Sequence, residues 1–203
     1  MYFRIYLAAL ILVSTASAEL PTGSLKVPLV RQATEYSCGA ASLVAALRFW
    51  KVYDGSESDL HGPLGTGPDG TAPESIAEEA RAFGLEAELR EGQNIDSLRQ
   101  AFLDGATVIL DLQAWRSDTT IPWAENWDDG HYVVLVGIDD KQLYVMDPLV
   151  ATGYAYLPVE ELMERWHDVE ERDGVVRRYH QAGIFIKGRE KLVSFPEAPI
   201  RLE

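Results

Sequence analysis

The chain has 203 residues, is 47% hydrophobic and 25% charged, and carries a formal net charge of −14 with one cysteine. That balance supports one globular domain rather than general disorder. So acidic a chain is a poor electrostatic partner for nucleic acid or an anionic membrane, and a lone cysteine excludes an internal disulfide.

Residues 1–18 stand apart from the rest. Arg4 supplies a positive charge, Ile5 to Val13 are apolar, and Ala16-Ser17-Ala18 has the small-x-small spacing of a cleavage site. The pattern predicts a secretory signal peptide cut after Ala18. The apolar run is short for a membrane span of ~20 residues, and no cysteine follows it closely enough for a lipid anchor. The expected mature chain, 19–203, is a single domain, periplasmic or secreted, with no stable membrane anchor. An exposed thiol without a role is a liability in an oxidising compartment, so Cys38 is expected to be either buried or used.

Pro21 and Pro28 predict an extended lead-in over 19–30. Ser37 is placed to cap a helix that opens near Cys38 and runs to Trp50. That helix is apolar on nearly every side and is expected to be buried all round. Residues 61–70 read as a Gly/Pro loop. Thr71-Ala72-Pro73-Glu74 resembles a capping box with proline in the first turn, before a helix carrying Ile76, Ala80 and Phe83 and stopped by Gly84. Residues 85–89 alternate like a short strand. Asn94 or Asp96 caps a helix through Ile95, Leu98, Phe102 and Leu103 that stops at Gly105, and 107–112 is a buried strand.

Residues 116–130 form a long polar loop with Trp123 and Trp127, a length often tied to function. Strands are predicted over 131–138 and 143–147, with a turn at 139–141, an amphipathic helix over 158–166 and a last strand over 182–187. Helices early and hairpins late argue an α+β fold.

Cys38 at a helix start sits where backbone N–H groups favour a thiolate, and Gly39 would let a substrate backbone approach. The ordinary alternative is an inert cysteine in a buried helix. His131 opens a strand at a sheet rim, and Asp147 closes the partner strand just before Pro148. The two are symmetrical about Asp139. A three-residue turn, or a bulge, puts both side chains on one face; a simple two-residue turn puts them on opposite faces. On one face, Asp147 can hold one imidazole nitrogen while the other faces a thiol. Gln32, six residues before Cys38, can offer its carboxamide N–H beside the Cys38 amide as an oxyanion hole.

Taken together, Gln-x5-Cys-Gly before a buried helix, Gly-His opening a strand and Asp-Pro closing the next resemble the papain-like cysteine peptidases. Among them, the pattern is most similar to the double-glycine, bacteriocin-processing peptidases. The segments "TAPESIAEEARAFGLEAELREGQNIDSL" and "VEELMERW" resemble that family's middle and late helices, and the resemblance covers about 27–187. It implies a papain-like fold with a buried catalytic helix on an antiparallel sheet. It also implies a Cys38–His131–Asp147 triad with Gln32 as oxyanion donor, a peptide or protein substrate, and no cofactor. The best-known members are leader-cutting domains of ABC exporters. This chain shows neither ATPase domain nor membrane spans, and resembles a standalone exported member.

The same machinery serves an amidase or acyl transferase equally well, since only the acceptor differs. A non-catalytic peptide-binding or assembly factor that keeps the fold is the reading from another class. His61, His167 and His180 are scattered, with no second cysteine and no His-Glu-x-x-His, so no zinc site is expected. Asp128 and Asp129 can favour a basic group near the cleft or simply be solvated loop acids. The five tryptophans can line a peptide groove or pack the core.

Overall fold

The computed structural model describes residues 20–150, 153–172, 174–193 and 199–201; residues 1–18, for which the sequence predicts a signal peptide, lie outside them. Helix α1 (Cys38–Phe49) is followed by α2 (Ser58–Leu64), α3 (Pro73–Ala82), strand β1 (Glu86–Arg90), α4 (Ile95–Leu103) and β2 (Thr107–Gln113). After a 3-10 turn at Trp123–Glu125 come β3 (Gly130–Ile138), β4 (Gln142–Met146), β5 (Tyr154–Pro158) and α5 (Val159–Arg165). Then come β6 (His167–Arg172), β7 (Val175–His180), β8 (Gly183–Lys187) and β9 (Pro199–Arg201).

Seven strands make one sheet in the order β1-β8-β2-β3-β4-β5-β9, antiparallel except for the β5–β9 pair. Helices cover both faces. Leu43, Leu47 and Phe49 of α1 pack with Ile76 of α3 and Leu60 of α2 on one side. Leu98 of α4, Leu162 of α5 and Trp166 pack on the other. A sheet covered twice cannot alternate apolar with polar, so all seven residues of β2 are buried. In α1, Ala40, Ala41, Ala45 and Ala46 are fully buried; small side chains bring the helix axis close to the sheet.

Several expectations are corrected. Residues 58–64, partly read as loop, form α2. Gly62 and Pro63 are breakers, but burial of Leu60 and Leu64 holds the short helix and Gly65 ends it at φ 63. Ser37 occupies the N-cap of α1 without capping it: its Oγ accepts from Thr34 N–H at 3.0 Å and donates back to the Thr34 carbonyl. The Thr71 capping box does not form either. Ala72 is the N-cap of α3, Thr71 Oγ1 pairs with Thr66 Oγ1 at 2.8 Å, and Glu74 accepts from Tyr179. Asn94 does form a reciprocal box with Ser97.

Strand β5 and the two-stranded β6–β7 ribbon are absent from the sequence reading. The ribbon's Glu- and Arg-rich strands, with four of six β7 residues exposed before Tyr179, carry no apolar alternation to find.

The β3–β4 hairpin decides the site. Asp139 N–H bonds the Gln142 carbonyl at 3.0 Å, which leaves Asp140 and Lys141 as a two-residue turn. Alone, that turn would set His131 and Asp147 on opposite faces. A bulge between Leu135 and Gly137 shifts the register by one, so Val134 pairs with Met146 and Leu135 with Val145. Parity is restored and both side chains share a face. The lead-in supports the bulge: Leu25 N–H bonds the Val136 carbonyl at 2.7 Å, and a Cβ at Gly137 would come within 2.8 Å of Ser24 Oγ.

Candidate active site

Cys38 is the first residue of α1, free and 9% exposed. Gly39 behind it is required by the fold's own packing. A Cβ there would stand 2.9 Å from Thr71 Cβ and 3.1 Å from the Tyr132 ring. The groups that approach this glycine closely are the side chains of Thr71 and Tyr132. Ser42 Oγ donates to the Tyr132 carbonyl and ties the same helix to the same strand.

His131 is the second residue of β3 and is buried. Its Nε2 lies 2.7 Å from Asp147 Oδ1. Nδ1 is the nitrogen this bond leaves free, and the Cys38 thiol lies near enough to the ring to help raise its pKa. Burial pushes the imidazole's pKa down, but the charge and hydrogen bond of Asp147, followed by those of Cys38, raise it to about 10. Burial likewise pushes Asp147 up, and the His131 charge and hydrogen bond, with N–H groups from Leu149 and Trp115, bring it below the ordinary carboxylate value.

The donors on Asp147 are accounted for. Leu149 N–H donates to Oδ1 at 2.7 Å and the Trp115 indole N–H donates to Oδ2 at 2.9 Å. Trp115 adopts φ 57, a backbone region that a bulky residue rarely enters. It was missed because the side-chain donor on Asp147 comes from beyond the end of β2, 32 residues away in sequence.

Gln32 is brought to the same rim. Its N–H bonds the Pro148 carbonyl at 3.0 Å, next to Asp147. Its Nε2 donates one hydrogen to the Thr34 carbonyl at 2.8 Å, which leaves the second amide hydrogen uncommitted. Buried Glu57 braces this loop: Oε2 accepts from Ala33 N–H at 2.9 Å while Oε1 meets His61 Nε2 at 2.9 Å. His61 thus holds the loop through a carboxylate.

Cys38 opens into a cavity of about 370 Å³ between the Glu35–Tyr36 and Pro68–Thr71 segments on one side and Trp127, Gly130 and β6 on the other. Asp128 lines it. Asp129 instead knots the loop, accepting from Ser117 N–H at 3.2 Å and Asn126 Nδ2 at 2.8 Å. Trp123 is buried against the guanidinium of Arg165, 3.8 Å from its ring centre, and Trp127 packs on His167 at 4.3 Å. His180 meets the far edge of Trp127 at 5.5 Å, so both late histidines serve this packing.

The sheet with a cysteine-bearing helix against it has the layout of papain-like thiol peptidases. The model of the peptidase C39 family matches residues 26–170, and the chain belongs to that family. It is similar in fold to three solved structures. A double-glycine motif protease from an AMS/PCAT transporter, solved with the leader peptide, is 23% identical with a TM-score of 0.57, covering 84% of this chain and 97% of that one. The peptidase domain of Streptococcus ComA, a bi-functional ABC transporter, is 20% identical with a TM-score of 0.59, covering 80% and 99%. A C39-like peptidase from Bacillus anthracis is 17% identical with a TM-score of 0.63, covering 86% and 100%. No curated protein matches the chain.

Proposed function

We propose that this protein is an exported cysteine peptidase in which Cys38 is the nucleophile. The observation that carries the reading is one buried imidazole, His131, bonded through Nε2 to a buried aspartate and electrostatically coupled to a thiol at a helix start. An imidazolium beside a sulfur favours its anion.

The sulfur anion attacks the substrate carbonyl, forming a C–S bond while the carbonyl π pair moves to oxygen. That oxyanion is received by the Cys38 N–H and the second amide hydrogen of Gln32. His131 gives its proton to the leaving nitrogen as the C–N bond breaks, and Asp147 holds the ring in orientation. Water then gives a proton to His131, adds to the thioester carbon and releases the acid and the thiolate. Family membership supports a peptide substrate, and a relative of similar fold was solved with a leader peptide.

The export signal rests on the sequence of residues 1–18, and a protein N-terminus at Glu19 in material recovered from the cell envelope or medium would support it. The enzymatic reading is tested with a mixed peptide library and mass spectrometry. New termini made by wild type and absent with Cys38→Ala are expected. A mass gain of +1 dalton, or a crosslink, in place of a cut would reassign the reaction to an amidase or transferase. Undiminished cleavage by Cys38→Ala would refute the nucleophile.

A further inference from the structure

Gln32 is lightly held by its own side chain. Its amide donates to the Thr34 carbonyl at 2.8 Å, and among the described residues nothing donates to its buried Oε1. The loop that carries it has little apolar burial to fix it: Arg31, Ala33 and Glu35 are exposed, and Gln32, Thr34 and Tyr36 are half-buried. Where the second amide hydrogen of Gln32 points therefore depends on polar bonds to the loop backbone.

Those bonds come from two sides. On the sheet side, Gln32 N–H donates to the Pro148 carbonyl at 3.0 Å. On the helix side, the next N–H along, that of Ala33, donates to Glu57 Oε2 at 2.9 Å. Within the loop, Ser37 Oγ accepts from Thr34 N–H at 3.0 Å, and Ser37 directly precedes Cys38.

Glu57 is built for this bond. It is the N-cap residue of α2 and is 8% exposed. Leu60 and Leu64 seat α2 in the same core as Cys38, Leu43 and Leu47 of α1. His61, one turn on, meets Glu57 Oε1 at 2.9 Å and fixes the carboxylate's rotation, with Oε2 aimed at Ala33. The ring of His61 lies 6.5 Å from that of Tyr36, which lines the cavity beside Cys38. A buried carboxylate with both oxygens engaged is not a solvated surface acid, and its bond to a backbone N–H is of the stronger, charge-assisted kind.

We propose that Glu57 is a positioning residue of the reaction. Through Ala33 N–H it sets where the Gln32 amide stands relative to Cys38, and so shapes the oxyanion hole; Glu57 does not itself line the cavity. The inference rests on the peptidase reading.

The test uses purified protein, a library peptide that wild type cuts, and replacements that separate reach from charge. Glu57→Ala removes the acceptor. Glu57→Asp keeps the charge but withdraws the oxygens by one methylene. Glu57→Gln keeps the reach: its amide oxygen can accept from Ala33 N–H while its NH₂ donates to His61 in the other tautomer. Glu57→Ala and Glu57→Asp are expected to lower kcat by ~10- to 100-fold, the scale of a misplacement of about 1 Å, with KM changed less than ~threefold and Glu57→Gln within ~fivefold of wild type. On top of Gln32→Ala, Glu57→Asp should cost less than ~twofold more, because the donor it positions is gone. Exchange of the Ala33 amide hydrogen, followed by NMR without substrate, should quicken at least ~tenfold in Glu57→Asp. The reverse order, with Glu57→Asp active and Glu57→Gln inactive, would assign Glu57 a charge role and overturn the proposal. So would losses that add to that of Gln32→Ala, or an Ala33 exchange rate that Glu57→Asp leaves unchanged. Wild type that cuts no peptide removes the peptidase reading and this role with it; wild type and Glu57→Asp that cut equally well remove only this role.

Discussion

The replacement Asp147→Asn probes the site most directly, because it removes a charge while keeping the shape. Raising the His131 imidazole from 6.5 to about 10 corresponds to roughly 5 kcal/mol in favour of its protonated form. The charge and hydrogen bond of Asp147 outrank those of Cys38 among the groups that raise it. At least half, ~2–3 kcal/mol, therefore belongs to Asp147, or ~30- to 150-fold in the imidazolium population. The burial that opposes protonation stays in the variant, so its imidazole drops toward or below the ordinary value. An asparagine oxygen can still accept from Nε2, which preserves the ring's position. The assay is the rate of Cys38 alkylation by iodoacetamide between pH 4 and 10, followed by intact mass, for wild type, Asp147→Asn and His131→Ala. Wild type is expected to react faster than both variants at neutral and acid pH, with the gap closing at alkaline pH. An identical pH profile in all three, or a Cys38 inert at every pH, would refute the coupling. Cys38 would then be a structural thiol, and the non-catalytic binding reading would take first place.

Gln32→Ala is expected to lower kcat by ~10²- to 10³-fold, the typical loss of one oxyanion donor, while leaving the alkylation profile in place; a parallel loss of alkylation would mean the loop had collapsed. Trp115→Phe deletes the donor to Asp147 Oδ2 and leaves that oxygen unsatisfied, for an expected destabilisation of ~1–3 kcal/mol in urea unfolding; no change in midpoint would count against the bond. Gly39→Ala forces a Cβ against Thr71 and Tyr132 and should destabilise by ~1–3 kcal/mol, readable in the same experiment. Burial and the neighbouring Asp168 charge give Asp111 a folded pKa above its unfolded one, so it favours folding at acid pH and loses that contribution as pH rises past the ordinary carboxylate value of 3.8. Asp111→Asn mimics the protonated form and should raise Tm more at pH 8 than at pH 5; an equal or reversed difference would show that the carboxyl is not held neutral.

Much of the architecture was legible from local chemistry. Helix α1 was visible as an apolar run because it is buried on nearly every residue, and β2 and β3 because a sheet covered on both faces leaves continuous hydrophobic stretches. Asn94 declared its helix start because a capping box closes within four residues. Cys38, His131, Asp147 and Gln32 were each recognisable as a residue type at an element boundary, and their order along the chain raised the resemblance.

What the sequence could not settle were the relations among distant residues. Whether His131 and Asp147 share a face depended on one bulge, held by the lead-in packing on Val136 and Gly137, more than a hundred residues away. The hydroxyls of Ser37 and Thr71 had local caps open to them but took partners in nearby turns. Trp115, Asp168 and the β6–β7 ribbon left no periodic signal, since exposed or polar segments find their place through contacts rather than through their own pattern. Asp111 was the one readable anomaly, a lone acid inside the apolar run of β2. Its meaning came only from the tertiary structure, because a buried charge is defined by what surrounds it. Local sequence sets which elements can form; packing between elements decides which side chains meet, and therefore what chemistry the cleft can hold.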